Sequence, residues 1–85
     1  MYQLILSNKS SRFLDKIYNS DRSLYRQFII ALDTISDTPY LGKALVGNLK
    51  GYWSYRVRDY RILYEIEKER LIVYVERIAH RKESY

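Results

Sequence analysis

Residues 52–79 alternate apolar and polar side chains in three runs, which are separated only by Arg58-Asp59 and Lys68-Glu69. Alternation of this kind is typical of strands with one buried face, and short polar breaks are typical of hairpin turns. The sequence therefore predicts three antiparallel strands at about 52–57, 60–67 and 70–79. A sheet with one apolar face needs other elements to cover it, so this segment constrains the fold more than any other.

The first half of the chain supplies the covering elements. Residues 2–6 form a short apolar run suited to a strand, and Ser7 or Asn8 can cap the helix that follows. Apolar side chains then recur at helical spacing and predict helices over residues 9–18 and 22–36.

Pro39 ends the second predicted helix, and residues 40–51, which contain three glycines, are predicted to be a long connection. The predicted fold class is therefore α+β, in the order β-α-α-β-β-β. We expect a single domain of residues 1–85, with an antiparallel sheet and two helices packed on one of its faces.

Composition narrows the possible functions. The chain has 85 residues, no cysteine, one histidine and a net charge of +5, which excludes disulfides and thiolate zinc sites. No phosphate-binding glycine loop is present, so we expect no metal and no cofactor. The basic charge favours a polyanionic partner, such as nucleic acid or an acidic protein. The N-terminus is apolar for only five residues, which predicts a cytoplasmic protein without a membrane segment.

The two predicted turns set a register in which Arg56 faces Arg61. Opposed like charges destabilise a sheet, and such violations are expected at functional sites. In this register Glu76 lies beside Arg61, and His80 continues the same face. Cations, a carboxylate and an imidazole on one surface can bind a phosphate and move protons without a metal. The alternative interpretation is a solvated face with an Arg–Glu ladder.

Two segments carry a resemblance to a known family. L-G-K-A-L-x-G-x-x-x-G-Y-W-S-Y-R-V-x-D-Y-R-I-L-Y-E-I is followed, after a strand, by R-I-x-H-R-K-x-x-Y. This pattern resembles the RelE/ParE superfamily of bacterial and archaeal toxins. The resemblance implies the predicted fold and the toxin half of a type II toxin–antitoxin pair. Its RelE-like branch implies a ribosome-dependent mRNA endonuclease: in the ribosomal A site, without a metal, the ribose 2′-OH attacks the adjacent phosphate.

The resemblance also implies site residues. Arg61 matches the family's phosphate-binding arginine, and the further candidates for catalysis are Arg56, Arg81, His80 and Tyr85. Three lysines are assigned to substrate binding: Lys43, Lys50 and Lys82. Lys43 stands roughly where YoeB-like relatives carry a catalytic glutamate, so the general base is left open between His80 and Glu76.

Two other functions are compatible with the same fold. One is a ParE-like inhibitor of DNA gyrase, and the other is a catalytically degenerate module that only binds an antitoxin. In every case we expect a cognate antitoxin that lays an acidic helix or extended segment across the basic surface. The toxin–antitoxin complex is expected to bind operator DNA through the antitoxin.

Overall fold

The computed structural model describes residues 1–83. The strands are β1 (Gln3–Leu6), β2 (Lys43–Ala44), β3 (Tyr52–Val57), β4 (Tyr60–Glu67) and β5 (Ile72–His80), and the helices are α1 (Asn8–Ser20) and α2 (Arg22–Asp37). The α+β class and the two helices are therefore confirmed. No helix in the described part of the chain is long and apolar enough to cross a membrane.

The sheet has one strand more than predicted. Its order is β1-β5-β4-β3-β2, with β1 parallel to β5 and the other neighbours antiparallel. The predicted antiparallel sheet is confirmed for the hairpins, and only β1, which precedes both helices, pairs in parallel. The predicted long connection contains the additional strand β2, which follows a 3-10 turn at Pro39–Leu41 and pairs with β3.

The helix boundaries follow from local capping. The Ser7 side chain accepts a hydrogen bond from the Ser10 N–H at 3.1 Å, and the Asp21 carboxylate accepts one from the Leu24 N–H at 3.0 Å. Each cap satisfies a backbone donor that the first turn of a helix leaves free. Ser7 is one of the two caps that the sequence offers for the first helix.

Both helices pack on the same face of the sheet. Phe28 and Ile35 of α2, together with Leu14 of α1, contact Ile62 and Val75 in one buried cluster. Phe28 and Ile62 have no exposed surface at all. We call this side of the sheet the covered face, and the side that carries Arg56 and Arg61 the open face.

The β3–β4 hairpin has the predicted register. Val57 pairs with Tyr60 and Arg56 pairs with Arg61. The two-residue turn is not of type I′, because Arg58 has a positive φ, of 53°, while Asp59 does not. A type I′ turn needs positive φ at both central residues.

The β4–β5 hairpin has a different register from the predicted one. Its loop contains four residues, 68–71, rather than two, so Tyr64 pairs with Val75 instead of Val73. The ladder is then irregular between Leu63 and Tyr64, which leaves Glu76 as an extra residue on β5. A bulge of this kind moves every later side chain to the other face of the sheet.

A buried contact holds β2 against the sheet. The Tyr64 hydroxyl donates a 2.6 Å hydrogen bond to the Pro39 carbonyl. A Cβ at Gly42 would collide with this hydroxyl and lie 2.8 Å from the Ser54 carbonyl, so only glycine fits at this position. Burial raises the pKa of Tyr64 to about 12, which keeps the hydroxyl protonated and able to donate. This contact therefore fixes the position at which Lys43 pairs with β3.

Candidate functional site

Cationic side chains on the open face lie in two adjacent cross-strand rows. The first row runs Lys43, Ser54, Leu63 and Arg77, and the second pairs Arg56 with Arg61. Strands lie about 4.8 Å apart, so the first row spans about 14 Å between its terminal cations. The lysine and the two arginines of the second row line an open cleft of about 230 Å³ together with Leu45 and Ser54.

The cations of the cleft have no neutralising carboxylate in the part of the chain that the structure describes. Within residues 1–83, Lys43, Arg56 and Arg61 form no ion pair. The Arg56 Nε donates a 2.9 Å hydrogen bond to the Arg58 carbonyl, which holds its guanidinium beside the turn. Two guanidinium groups with free donors can grip the oxygens of a phosphate in a forked arrangement. The predicted pairing of Arg56 with Arg61 therefore places two exposed cations side by side on the open face.

Arg81 lies at the same end of the sheet. Its backbone N–H donates a 2.6 Å hydrogen bond to the Asp59 carbonyl, and its Nε lies 3.8 Å from the Asp59 carboxylate. The β3–β4 turn therefore holds Arg81 at this end of the sheet. Both groups of the ion pair are more than half exposed, so solvent weakens the pair and Arg81 can turn toward a stronger anion.

His80 lies on the covered face, and the prediction that it shares a surface with the arginines is wrong. It pairs with Tyr60, and the two rings pack edge to face with centroids 5.2 Å apart. The bulge at Glu76 is the physical reason, because it reverses the alternation of β5. The His80 Nδ1 accepts a 3.2 Å hydrogen bond from the Lys82 N–H, so the ring orders the turn that carries Arg81.

Two further predicted site residues, Lys50 and Lys82, are not among the residues that line the cleft. Lys50 lies in the β2–β3 loop, at the opposite end of β3 from Arg56, and therefore does not join the cleft. Lys82 is exposed in the turn after β5. Tyr85 lies outside the described residues.

Glu76 does not pair with Arg61, and that prediction is also wrong. Arg61 faces Ala79, while Glu76 lies beside Glu65. A hydrogen bond that the protonated Glu65 carboxyl donates to Glu76, followed by burial, raises the pKa of Glu65, and the charge of Glu65 raises the pKa of Tyr52. The open face therefore has an acidic half that is separate from the cationic cleft.

Sequence reasoning missed Arg77 as a candidate. The bulge places it on the open face opposite Leu63, and its guanidinium lies 3.5 Å from the Glu83 carboxylate. In a regular strand Arg77 would face the helices, where a charge is costly. That mismatch between charge and expected face is the one signal in the sequence that could have indicated the bulge.

The described residues offer no metal centre, since no three histidine, cysteine, aspartate or glutamate side chains cluster among residues 1–83. The open face can thus hold an anion by cationic side chains. The chemistry available to it is charge stabilisation by guanidinium groups.

Comparisons with known proteins agree with this architecture. Residues 4–85 match the family described as ParE toxin of type II toxin-antitoxin system, parDE. The toxin–antitoxin complex RelBE2 from Mycobacterium tuberculosis contains a chain that is 28% identical, with a TM-score of 0.79, over 93% of this chain and 96% of that one. The comparison with curated protein sequences gives no match.

Two more distant structures share the fold. The YoeB/ParE toxin from Agrobacterium tumefaciens is 19% identical with a TM-score of 0.80, over 92% of this chain and 96% of that one. A chain of the archaeal RelE–RelB complex from Pyrococcus horikoshii is 18% identical with a TM-score of 0.79, over 98% of both chains. The chain therefore belongs to the ParE toxin family, within the RelE/ParE superfamily, and is a toxin of the type II toxin–antitoxin class.

Proposed function

We propose that this toxin is a metal-independent, ribosome-dependent mRNA endonuclease that inhibits translation. The observation that carries the proposal is the cleft of Lys43, Arg56 and Arg61, whose charges have no acidic partner within residues 1–83. Like charges placed together on a sheet destabilise it unless they bind something. A phosphate of the RNA backbone has the charge and the oxygens that this cleft fits.

The proposed reaction needs charge stabilisation more than any other aid. The ribose 2′-oxygen gives its proton to solvent water and attacks the adjacent phosphorus, and the bond from phosphorus to the 5′-oxygen breaks. The 5′-oxygen takes up a proton from solvent, so no net proton is consumed, and the products are a 2′,3′-cyclic phosphate and a 5′-hydroxyl. Arg61 and Arg56 hold the two non-bridging oxygens, whose negative charge increases in the transition state.

We propose a smaller role for His80 in proton transfer than the sequence predicts. Its ring lies on the covered face, so we propose that it positions Arg81 by ordering the turn after β5. Arg81 and Tyr85 remain proposed site residues, and Lys43 is proposed to bind the RNA backbone. With no carboxylate paired to the cleft within residues 1–83, catalysis rests on the guanidinium groups and on the geometry in which the ribosome holds the mRNA.

A cognate antitoxin is the proposed protein partner, and the cytoplasm is the proposed location. The M. tuberculosis relative is part of a toxin–antitoxin complex, and this chain carries a net charge of +5. An acidic antitoxin segment laid over the open face would neutralise the cleft and exclude RNA. Operator binding by such a complex would come from the antitoxin.

A second candidate function is inhibition of DNA gyrase. The observation that favours it is the description of the matching family as ParE toxin. Gyrase inhibition gives no role to the two opposed arginines of the cleft, because a protein that blocks gyrase need not stabilise a pentavalent phosphorus. A degenerate module that only binds its antitoxin would neither cleave mRNA nor inhibit gyrase.

One experiment separates the three readings. Purified toxin is added to ribosomes translating a reporter mRNA, and separately to gyrase in a DNA supercoiling assay. We expect cleavage of the mRNA within codons in the A site, with 2′,3′-cyclic phosphate ends, and normal supercoiling. Intact mRNA with blocked supercoiling would establish the gyrase reading, and inactivity in both assays would favour the degenerate module.

A further inference from the structure

Arg77 is a cation on the open face outside the cleft already described. It ends the row that begins at Lys43, and Leu63 lies between it and the β3 strand. Neighbouring strands are about 4.8 Å apart, so the Arg77 backbone lies within about 10 Å of the backbone at Arg61, one row away and one strand over. An arginine side chain can close much of that separation. Arg77 is therefore placed to contact an RNA chain that enters the cleft.

The Arg77 guanidinium lies beside a carboxylate of the protein, that of Glu83. One oxygen of Glu83 accepts a 3.1 Å hydrogen bond from the His80 N–H, and the other lies 3.5 Å from the Arg77 guanidinium. The Arg77 side chain is 34% exposed and that of Glu83 is 56% exposed. The Glu83 carboxylate thus sits beside Arg77 much as a phosphate would, with one contact of ordinary length to the backbone and one long contact to the arginine.

We propose that Arg77 binds the phosphate next to the scissile one, and that Glu83 is a stand-in for this phosphate which RNA displaces from Arg77. The proposal rests on the proposed function, since it extends the RNA-binding cleft. It adds a binding residue and a competing acidic group that neither the family match nor the resemblance assigns.

The exchange of partners is physically favourable. An exposed ion pair with one long contact contributes little, because water screens it. A phosphodiester offers two oxygens that match the fork of the guanidinium, which makes a shorter and stronger contact. Glu83 can keep its hydrogen bond to the His80 N–H during the exchange, so only the Arg77 side chain has to turn.

A second ion pair in the molecule provides a matched control. Arg70 and Glu67 form an exposed pair at 2.6 Å beside the β4–β5 loop, at the opposite end of β4 from Arg61. Changing this pair alters the net charge by the same amount as changing Arg77 and Glu83. Any difference between the two pairs therefore reports position rather than total charge.

The test measures the affinity of purified toxin for a short single-stranded RNA in which the attacking 2′-hydroxyl is replaced by hydrogen. We expect Arg77→Gln to weaken binding about five- to tenfold and to reduce the salt slope by about one, as for one lost phosphate contact. Glu83→Gln should tighten binding about two- to threefold, since it frees Arg77. In the Arg77→Gln background, Glu83→Gln should change nothing. Arg77→Lys keeps the charge without the fork and should bind between the parent and Arg77→Gln.

Two results would overturn the proposal. In the first, Arg77→Gln weakens binding no more than Arg70→Gln does. In the second, Glu83→Gln tightens binding equally with and without Arg77, or no more than Glu67→Gln. Arg61→Ala separates this failure from that of the proposed function: if Arg61→Ala abolishes cleavage while the Arg77 variants behave like the controls, only the present proposal is lost.

Discussion

The two faces of the sheet share the same strands but have different surroundings. On the covered face, Ile62, Tyr64 and Val73 have no exposed surface, and within residues 1–83 no buried side-chain polar atom lacks a hydrogen-bond partner. On the open face, Arg56 and Arg61 are exposed and unpaired within the same residues. The covered face supplies stability, and the open face carries charge that weakens the sheet. We therefore expect substitutions on the covered face to lower stability. Substitutions of the open-face arginines should lower activity without lowering stability.

The largest effect is expected from Arg61→Ala on the open face. Loss of one donor to a developing oxyanion typically lowers a rate about 100- to 1,000-fold, and single-turnover cleavage of ribosome-bound mRNA should show a loss of that size. The variant should be at least as stable as the parent, because the repulsion with Arg56 is relieved. Arg70→Ala is the control and should cut normally. A parental rate in Arg61→Ala would remove the open face from the reaction.

Tyr64→Phe makes the reverse prediction for the covered face. It leaves the Pro39 carbonyl without its buried donor, which should lower the free energy of unfolding by about 1–3 kcal/mol. Urea denaturation measures this loss. Tyr74→Phe, which removes an exposed hydrogen bond from Arg70, should cost less. Equal stability of the two variants would contradict a stabilising role for the buried Tyr64 hydroxyl.

His80→Ala tests which side of the comparison the histidine belongs to. General acid–base groups typically contribute about 100- to 10,000-fold to a rate, and we expect a loss well below that range. The pH profile of single-turnover cleavage should keep its shape, because the ring lies on the covered face with its Nδ1 already bonded. A loss as large as that of Arg61→Ala, with a flattened profile near neutrality, would return His80 to the catalytic groups.

The smallest effect is expected from Glu65→Gln in the acidic half of the open face. The hydrogen bond that protonated Glu65 donates to Glu76 raises the pKa of Glu65 above its ordinary value of 4.5. The folded state therefore holds this proton more tightly than the unfolded state, and stability falls as the pH rises from about 4.5 through the raised pKa. Glu65→Gln should melt slightly higher than the parent at pH 7 and no higher at pH 4. A lower melting temperature at pH 7 would show that the pair stabilises the sheet.

The sequence predicts the β3–β4 hairpin and the Arg56–Arg61 pair correctly because their turn has two residues and local alternation sets the register. It does not predict the β4–β5 register, where a four-residue loop and a bulge at Glu76 intervene. Bulges depend on contacts distant in sequence: the Ser7 hydroxyl donates a 2.6 Å hydrogen bond to the Glu76 carbonyl. Apart from the charge of Arg77 on a face expected to be apolar, the local pattern does not indicate this contact. The sequence therefore places His80 on the wrong face and does not identify Arg77.

The sequence does not predict β2 for a similar reason. Two residues are too few to show alternation, and their pairing with β3 depends on the fit of Gly42 beneath the Tyr64 hydroxyl. The sequence therefore identifies Lys43 as a candidate but does not place it in the cleft, because that position depends on tertiary packing.

The most direct test of the central claim is the mapping of mRNA 5′ ends in cells after induction of the parental toxin and of Arg61→Ala at equal protein levels. We predict new 5′-hydroxyl ends within coding regions for the parental toxin, together with growth arrest. Arg61→Ala should produce neither, although it should still bind the antitoxin. Growth arrest with intact mRNA, or the same ends from both proteins, would contradict RNA cleavage by the open face.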